Sequence, residues 1–252
     1  MAISVVQNIS TTAAVSSGTS ATTATTFSSN TTAANCLVAC IYYSGPFGDS
    51  PSITSVTTNG TAENWASAVS KVDTGGSGGD TIAIWVNPNT GGGQKVIDVN
   101  WSFGGTAGST NQGFILIDSF EISGLALSSV VDKTISGTGS GAGTFSSTAT
   151  ATTTQASEIA IGMVGAAQNA GSTMTVTGPS SPWVNETTRN VGVNISGTTY
   201  QIYEKSGYNI LSSTGTATYS GTLSSTSNNY AAAVVTLKAP TSVTGRVIVS
   251  YI

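Results

Sequence analysis

Apolar and polar residues alternate along this chain in short runs, broken by stretches rich in glycine, serine and asparagine. In VIDVNWSF, Val96, Asp98, Asn100 and Ser102 share one face, while Ile97, Val99, Trp101 and Phe103 share the other. That is the period of a half-buried antiparallel strand. TATYSGTL repeats it, with Ala217, Tyr219, Gly221 and Leu223 on one side. The runs ILI (115–117) and AAAVV (231–235) are continuously apolar, as expected of strands deep between two sheets. Gly-rich stretches at 74–79, 91–93 and 137–143 read as connectors. The pattern predicts an all-β chain, an antiparallel β-sandwich or jelly roll.

The runs recur in the same order. NCLVACIYYSG (35–45) matches SEIAIGMVGAA (157–167), and SITSVT (52–57) matches STMTVT (172–177). A tryptophan follows each of the latter, Trp65 and Trp183. TIAIWVNPN (81–89) corresponds to YQIYEKSGYN (200–209), KVIDVNWSF (95–103) to GTATYSGTL (215–223), and FILIDSFEISG (114–124) to AAAVVTLKAP (231–240). The expectation is two tandem similar sandwiches, 1–128 and 129–252, the second with a C-terminal strand at 243–251. The Ser/Thr-rich stretches at 10–34 and 137–156 lead into apolar runs and read as poorly hydrophobic edge strands. The last strand either closes a sheet locally or adds to a neighbour.

Composition supports strands and turns over helices. Charged residues make up 7% of the chain, against roughly 25% in an ordinary soluble domain. Too few Glu, Lys and Arg remain to build polar helix faces. The net charge is −4 and the 7 basic residues are scattered, so no patch predicts nucleic acid binding. No apolar run reaches the length of a membrane-spanning helix. MAISVVQNIS has neither a basic n-region nor a continuous apolar core and reads as a strand rather than a signal peptide. Folding in the cytoplasm is the expectation. On one strand, Cys36 and Cys40 would lie roughly 13 Å apart, too far for a disulfide, and read as buried small hydrophobes.

The series TTTQASEIAIGMVG, GSTMTV with SPW, YQIYEKSG, STGTATYSGTLSS and YAAAVVTLKA resembles a β-sandwich domain widespread in phage and bacterial surface proteins. Ser157–Val164, Tyr200–Gly207, Thr214–Leu223 and Tyr230–Ala239 carry the resemblance. The first half fits it with CLVACIYY, SVTTNG, IAIWVNPNTGGGQKVIDVNWS and LIDSFEISGL. The resemblance implies a virion protein: a capsid decoration protein, a head fibre or a minor tail component. Its implied partners are phage coat or tail proteins and further copies of itself, with no nucleic acid, membrane or cofactor.

Candidate chemistry is thin. The chain has no histidine, which removes the commonest general base, and no nucleophile elbow or phosphate loop occurs. The chain therefore reads as non-enzymatic. Asp98, Asp118 and Glu121 lie near strand runs and are expected on solvated outer faces. Asp73 and Asp80 flank a glycine-rich loop and are weak calcium candidates. Trp65 and Trp183 are candidates for stacking on glycans, against a packing role at matching positions, while Trp85 and Trp101 read as core. Contacts with other subunits are expected from segments 1–9 and 241–252, through Ile3, Val5, Val247, Val249 and Tyr251.

Overall fold

A computed structural model describes residues 2–15, 19–45, 51–73, 80–102, 113–140, 143–168, 173–195, 198–224 and 229–241. They form strands joined by turns, all pairings are antiparallel, and no helix occurs among them. The expected segment 243–251, with Val247, Val249 and Tyr251, lies outside the described residues, as do loop 74–79 and Phe103.

In the first half the strands are β1 (Ser4–Val15), β2 (Ser20–Thr26), β3 (Cys36–Ser44), β4 (Ser52–Thr58), β5 (Ala66–Val72), β6 (Thr81–Asn87), β7 (Val96–Ser102) and β8 (Gly113–Ser123). They make a sheet in the order β1-β8-β3-β6-β5 and a smaller one in the order β2-β7-β4. The second half contains β9 (Val131–Ser140), β10 (Thr144–Ser146), β11 (Glu158–Gln168), β12 (Val176–Thr177), β13 (Val184–Asn185), β14 (Arg189–Ile195), β15 (Thr198–Leu211), β16 (Ser220–Leu223) and β17 (Asn229–Lys238). Its larger sheet runs β9-β17-β11-β15 with β13 and β14 both on β15, and its smaller one runs β10-β16-β12. Strand for strand, this is the order of the first half, with β13 and β14 together in the place of β5. The Ser/Thr-rich strands β1, β2, β9 and β10 all stand at sheet edges, as expected of strands with little apolar surface. Gly137 and Gly139 belong to β9 rather than to a connector. A Cβ at Gly139 would come within 2.6 Å of the Tyr230 ring, so the ring covers bare backbone there.

The sheets stack in four layers. Phe27, Leu37, Ile41, Val99 and Trp101 fill the first sandwich, and Phe145, Val164, Tyr219 and Leu223 the second. A third core lies between the sandwiches, where Val38, Cys40, Tyr42 and Leu116 of one half meet Ile161, Met163, Ala233 and Val235 of the other. The inner strands β3, β8, β11 and β17 are therefore buried on both faces and read as continuous apolar runs. The outer strand β7 alternates. Gly165 makes room for the Tyr42 ring from the opposite half. Contacts across the joint are reciprocal: β5 lies against β9 and β17, as β14 lies against β1 and β8. That is the pattern of an isologous, two-fold-like interface within one chain.

Both halves carry the same irregularity. Val6 bulges from β1 between Val5, opposite Ile122, and Gln7, opposite Glu121. Asp132 bulges from β9 between Val131, opposite Leu237, and Lys133, opposite Thr236. Because Ile122 pairs with Cys36 and Leu237 with Ile159, Cys36 corresponds to Ile159. The sequence match of 35–45 with 157–167 set Cys36 against Glu158, one residue out. Such a slip exchanges the two faces of a strand, and only the pairing register resolves it.

Candidate functional site

Most titratable side chains near strands act inside the fold. Glu121 is buried and accepts hydrogen bonds from Gln7 Nε2 (2.6 Å), Thr32 N (2.7 Å) and Asn35 Nδ2 (2.6 Å). Glu63 accepts from Thr58 Oγ1 (2.8 Å), Asn87 Nδ2 (2.6 Å) and Gly91 N (2.8 Å), tying two turns together. Asp98 is part-exposed and accepts from Gly60 N, close to expectation. Asp118 and Glu121 depart from it: their register faces them into cores instead of solvent.

The remaining sequence candidates sit as follows. Trp101 is fully buried, while Trp85 is part-buried against the first core. Trp65 packs on the first core and donates Nε1 to Thr58 Oγ1 at 2.9 Å. Trp183 packs on the second core, edge-on to Tyr219 with ring centroids 5.1 Å apart. Ile3 is buried in the joint core and Val5 packs against it. Asp73 and Asp80 are both buried at the base of their loop, where Asp73 N donates to Asp80 O (2.8 Å) and Tyr42 donates its hydroxyl to Asp80 Oδ2 (3.2 Å). Burial, with the charge of Asp73, raises the Asp80 pKa to about 6 against the hydrogen bonds that lower it. No group of three or more His, Cys, Asp or Glu side chains suited to a metal occurs among the described residues. Cys36 and Cys40 are buried and free, and burial pushes both thiols up.

The densest chemistry lies in the joint between the halves. Asp118 of β8 and Glu204 and Ser206 of β15 face the shared core. Ser206 donates to Asp118 Oδ2 at 2.6 Å, and Arg189 Nε of β14 stands 3.8 Å from Asp118 Oδ1. Arg189 is held by its register opposite Glu204. Asn8 of β1 donates to Glu186 Oε1 at 2.5 Å, and Lys205 Nζ donates to Glu186 O at 2.8 Å. Asn8, Ser10, Asp118, Glu186 and Arg189 surround a cavity of about 20 Å³. Burial, then the charge of Asp118, pushes Glu204 well above the usual carboxylate range. Burial raises Asp118 as well, opposed by hydrogen bonds from Ser206 and Glu204 and by the Arg189 charge. A pair of carboxyls with split acidity is a recognisable acid–base arrangement. Here the adjoining cavity has room for one water and none for a substrate.

Sequence reasoning missed Glu204 and Arg189. The available signal was a glutamate and a lysine inside YQIYEKSGYN, where the matching TIAIWVNPN is apolar. A wider groove of about 300 Å³ opens beside β12, lined by Thr173, Met174, Thr175, Thr188, Asn190 and Tyr203. No protein-family model, curated protein or solved structure matches this chain.

Proposed function

We propose that this chain is a non-enzymatic structural protein of a virus particle, a capsid decoration or minor capsid protein that binds the outer shell and copies of itself. The observation that supports it is the fusion of two sandwiches over one apolar core into a single β-block, with its acidic side chains largely spent on internal contacts. We further infer that the halves arose from one repeated unit, which the common strand order and common bulge favour. The outer small sheet carries, beside Asp98, a ladder of hydroxyl and amide groups. Thr22 donates to Asn100 Oδ1 (2.6 Å), Asn100 to Ser55 Oγ (3.0 Å), and Ser52 meets Ser102 (3.0 Å). Such a face can be covered without desolvating buried ions. Mass spectrometry and cryo-electron microscopy of intact particles test the reading. Many copies on the shell are expected, and absence from particles overturns it. Deleting 241–252 is expected to abolish incorporation while leaving the described fold intact.

A second reading is a host-contacting tail or fibre part, or an adhesin module that binds carbohydrate. The groove beside β12 favours it, because its lining is neutral and offers hydroxyl and amide groups beside Met174 and Tyr203. Glycan binding lost on Thr188→Val or Asn190→Ala, with folding retained, would support it.

A further inference from the structure

The joint is two-fold-like in its backbone and one-sided in its chemistry. Cys40 pairs with Ile84 and Asp118, and its counterpart Met163 pairs with Ser206 and Ala233. By the same register Tyr42 pairs with Ile82, and its counterpart Gly165 with Glu204. One side of the joint thus holds Ile82, Ile84 and Ala233, all buried and apolar, where the other holds Glu204, Ser206 and Asp118. Well-packed apolar residues in place of a buried ionic cluster are commonly neutral or stabilising. Stability alone therefore does not account for the polar side.

We propose that this cluster is a proton-operated latch between the two halves, closed while Glu204 keeps its proton and released when Glu204 ionises. Its geometry fits a closed state with one charge on Asp118. Asp118 Oδ2 is taken by the Ser206 hydroxyl. Asp118 Oδ1 forms an ion pair with Arg189 Nε at 3.8 Å, beside the cavity of about 20 Å³. Glu204 is wholly buried; no donor group serves either of its oxygens, and its hydrogen bond to Asp118 is one that only a proton held between the two carboxyls can make. An ionised carboxylate there would be uncompensated.

The titratable groups around Glu204 come from both halves: Asp118 on β8, Arg189 on β14, Lys205 on β15, Glu186 between β13 and β14, the Cys40 thiol on β3 and the Tyr219 phenol just before β16. Burial holds the thiol and the phenol in their neutral forms. With Glu204 neutral, Asp118 and Glu186 balance Arg189 and Lys205. Ionisation of Glu204 sets a third carboxylate against two cations in a low-dielectric joint. Parting β14 from β1 and β8, where the half-exposed Arg189 already reaches solvent, is the shortest route to water.

The test is amide hydrogen exchange on the full chain from pH 5 to pH 9, corrected for the intrinsic chemical rate, in wild type, Glu204→Gln and Glu204→Ile. Gln imitates the protonated acid, and Ile is the residue that Ile82 places on the other side of the joint. Wild type is expected to lose protection in β1 and β14 as pH rises, by a factor approaching tenfold per pH unit for one linked proton. Both variants are expected to keep that protection at every pH. Equal loss in wild type and variants overturns the latch, as does constant protection in wild type. A joint already open at pH 5 in both variants overturns it too, since neither places a charge there.

Discussion

Ser206 of β15 gives its hydroxyl to Asp118 of β8 at 2.6 Å, joining two strands that belong to different sandwiches. Removing Asp118 alone leaves Ser206 and the Arg189 guanidinium without that acceptor. Asp118→Ala is expected to cost about 3 kcal/mol, the lower end for a broken buried pair because Arg189 is partly exposed. The triple change Asp118→Ala, Glu204→Ile, Ser206→Ile copies the apolar side of the joint and is expected to lie between neutral and about 3 kcal/mol more stable than wild type. Urea unfolding measures both. A triple variant weaker than Asp118→Ala would show that the two sides of the joint are not interchangeable.

Glu121 closes the first sandwich by binding three donors from two segments. Glu121→Ala strands the Thr32 amide and the Asn35 side chain and is expected to cost about 3 kcal/mol. Glu121→Gln keeps one acceptor oxygen and should cost about 1 kcal/mol. Equal losses in thermal unfolding would mean that packing, not hydrogen bonding, sets the contribution of this residue.

Stability should fall as the solution becomes more alkaline. Burial raises the pKa of Asp80, Asp118, Glu158, Glu186 and Glu204 in the folded state, Asp80 to about 6. A carboxyl with a raised folded pKa binds its proton more tightly folded than unfolded. Its stabilisation is complete below the unfolded value of about 4 and is lost as pH rises through the folded value. Asp132 runs the other way: burial raises it, but hydrogen bonds from Thr154 and Lys133 outweigh that and hold it at about 2, so its contribution disappears on acidification towards that value. The denaturation midpoint is expected to be highest near pH 4 and to decline towards pH 8, with Asp80→Asn removing the part of the decline that runs from about pH 4 to about pH 6. A midpoint that climbs steadily to pH 8 would refute this assignment.

Trp183 stands edge-on to Tyr219, and Trp65 is tethered to Thr58. Replacement of either by Ala is expected to cost about 2 kcal/mol or more, somewhat below the range for a fully buried aromatic residue. Glycan binding, if the protein has any, should persist in the folded fraction. Calorimetric unfolding beside glycan-array binding separates the two roles. Lost binding with unchanged stability would make these indoles stacking platforms.

The strands were legible because their signal is local. In β7, alternation alone puts Ile97, Val99 and Trp101 inward and Val96, Asp98 and Asn100 outward. Paired residues such as Trp65 and Trp183 exposed the recurring order, since a turn and an aromatic are read from a few neighbouring positions. The joint was not legible. CLVACIYY reads the same whether one of its faces meets a second sandwich or both meet sheets of its own, because an apolar run records burial without saying what does the burying.

The sequence by itself determined an all-β chain of antiparallel strands, the placing of its Ser/Thr-rich strands at sheet edges, and buried unpaired cysteines. Each follows from side-chain period, polarity or spacing along one strand. Only the tertiary structure decided that the sandwiches share a third core, that Cys36 takes the place of Ile159 in the pairing rather than of Glu158, and that Asp118 faces Ser206 and Arg189. Those depend on pairing register and sheet stacking, which bring together residues far apart in the chain. A one-residue slip in that register would have turned Asp118 towards the first sandwich and away from its partners.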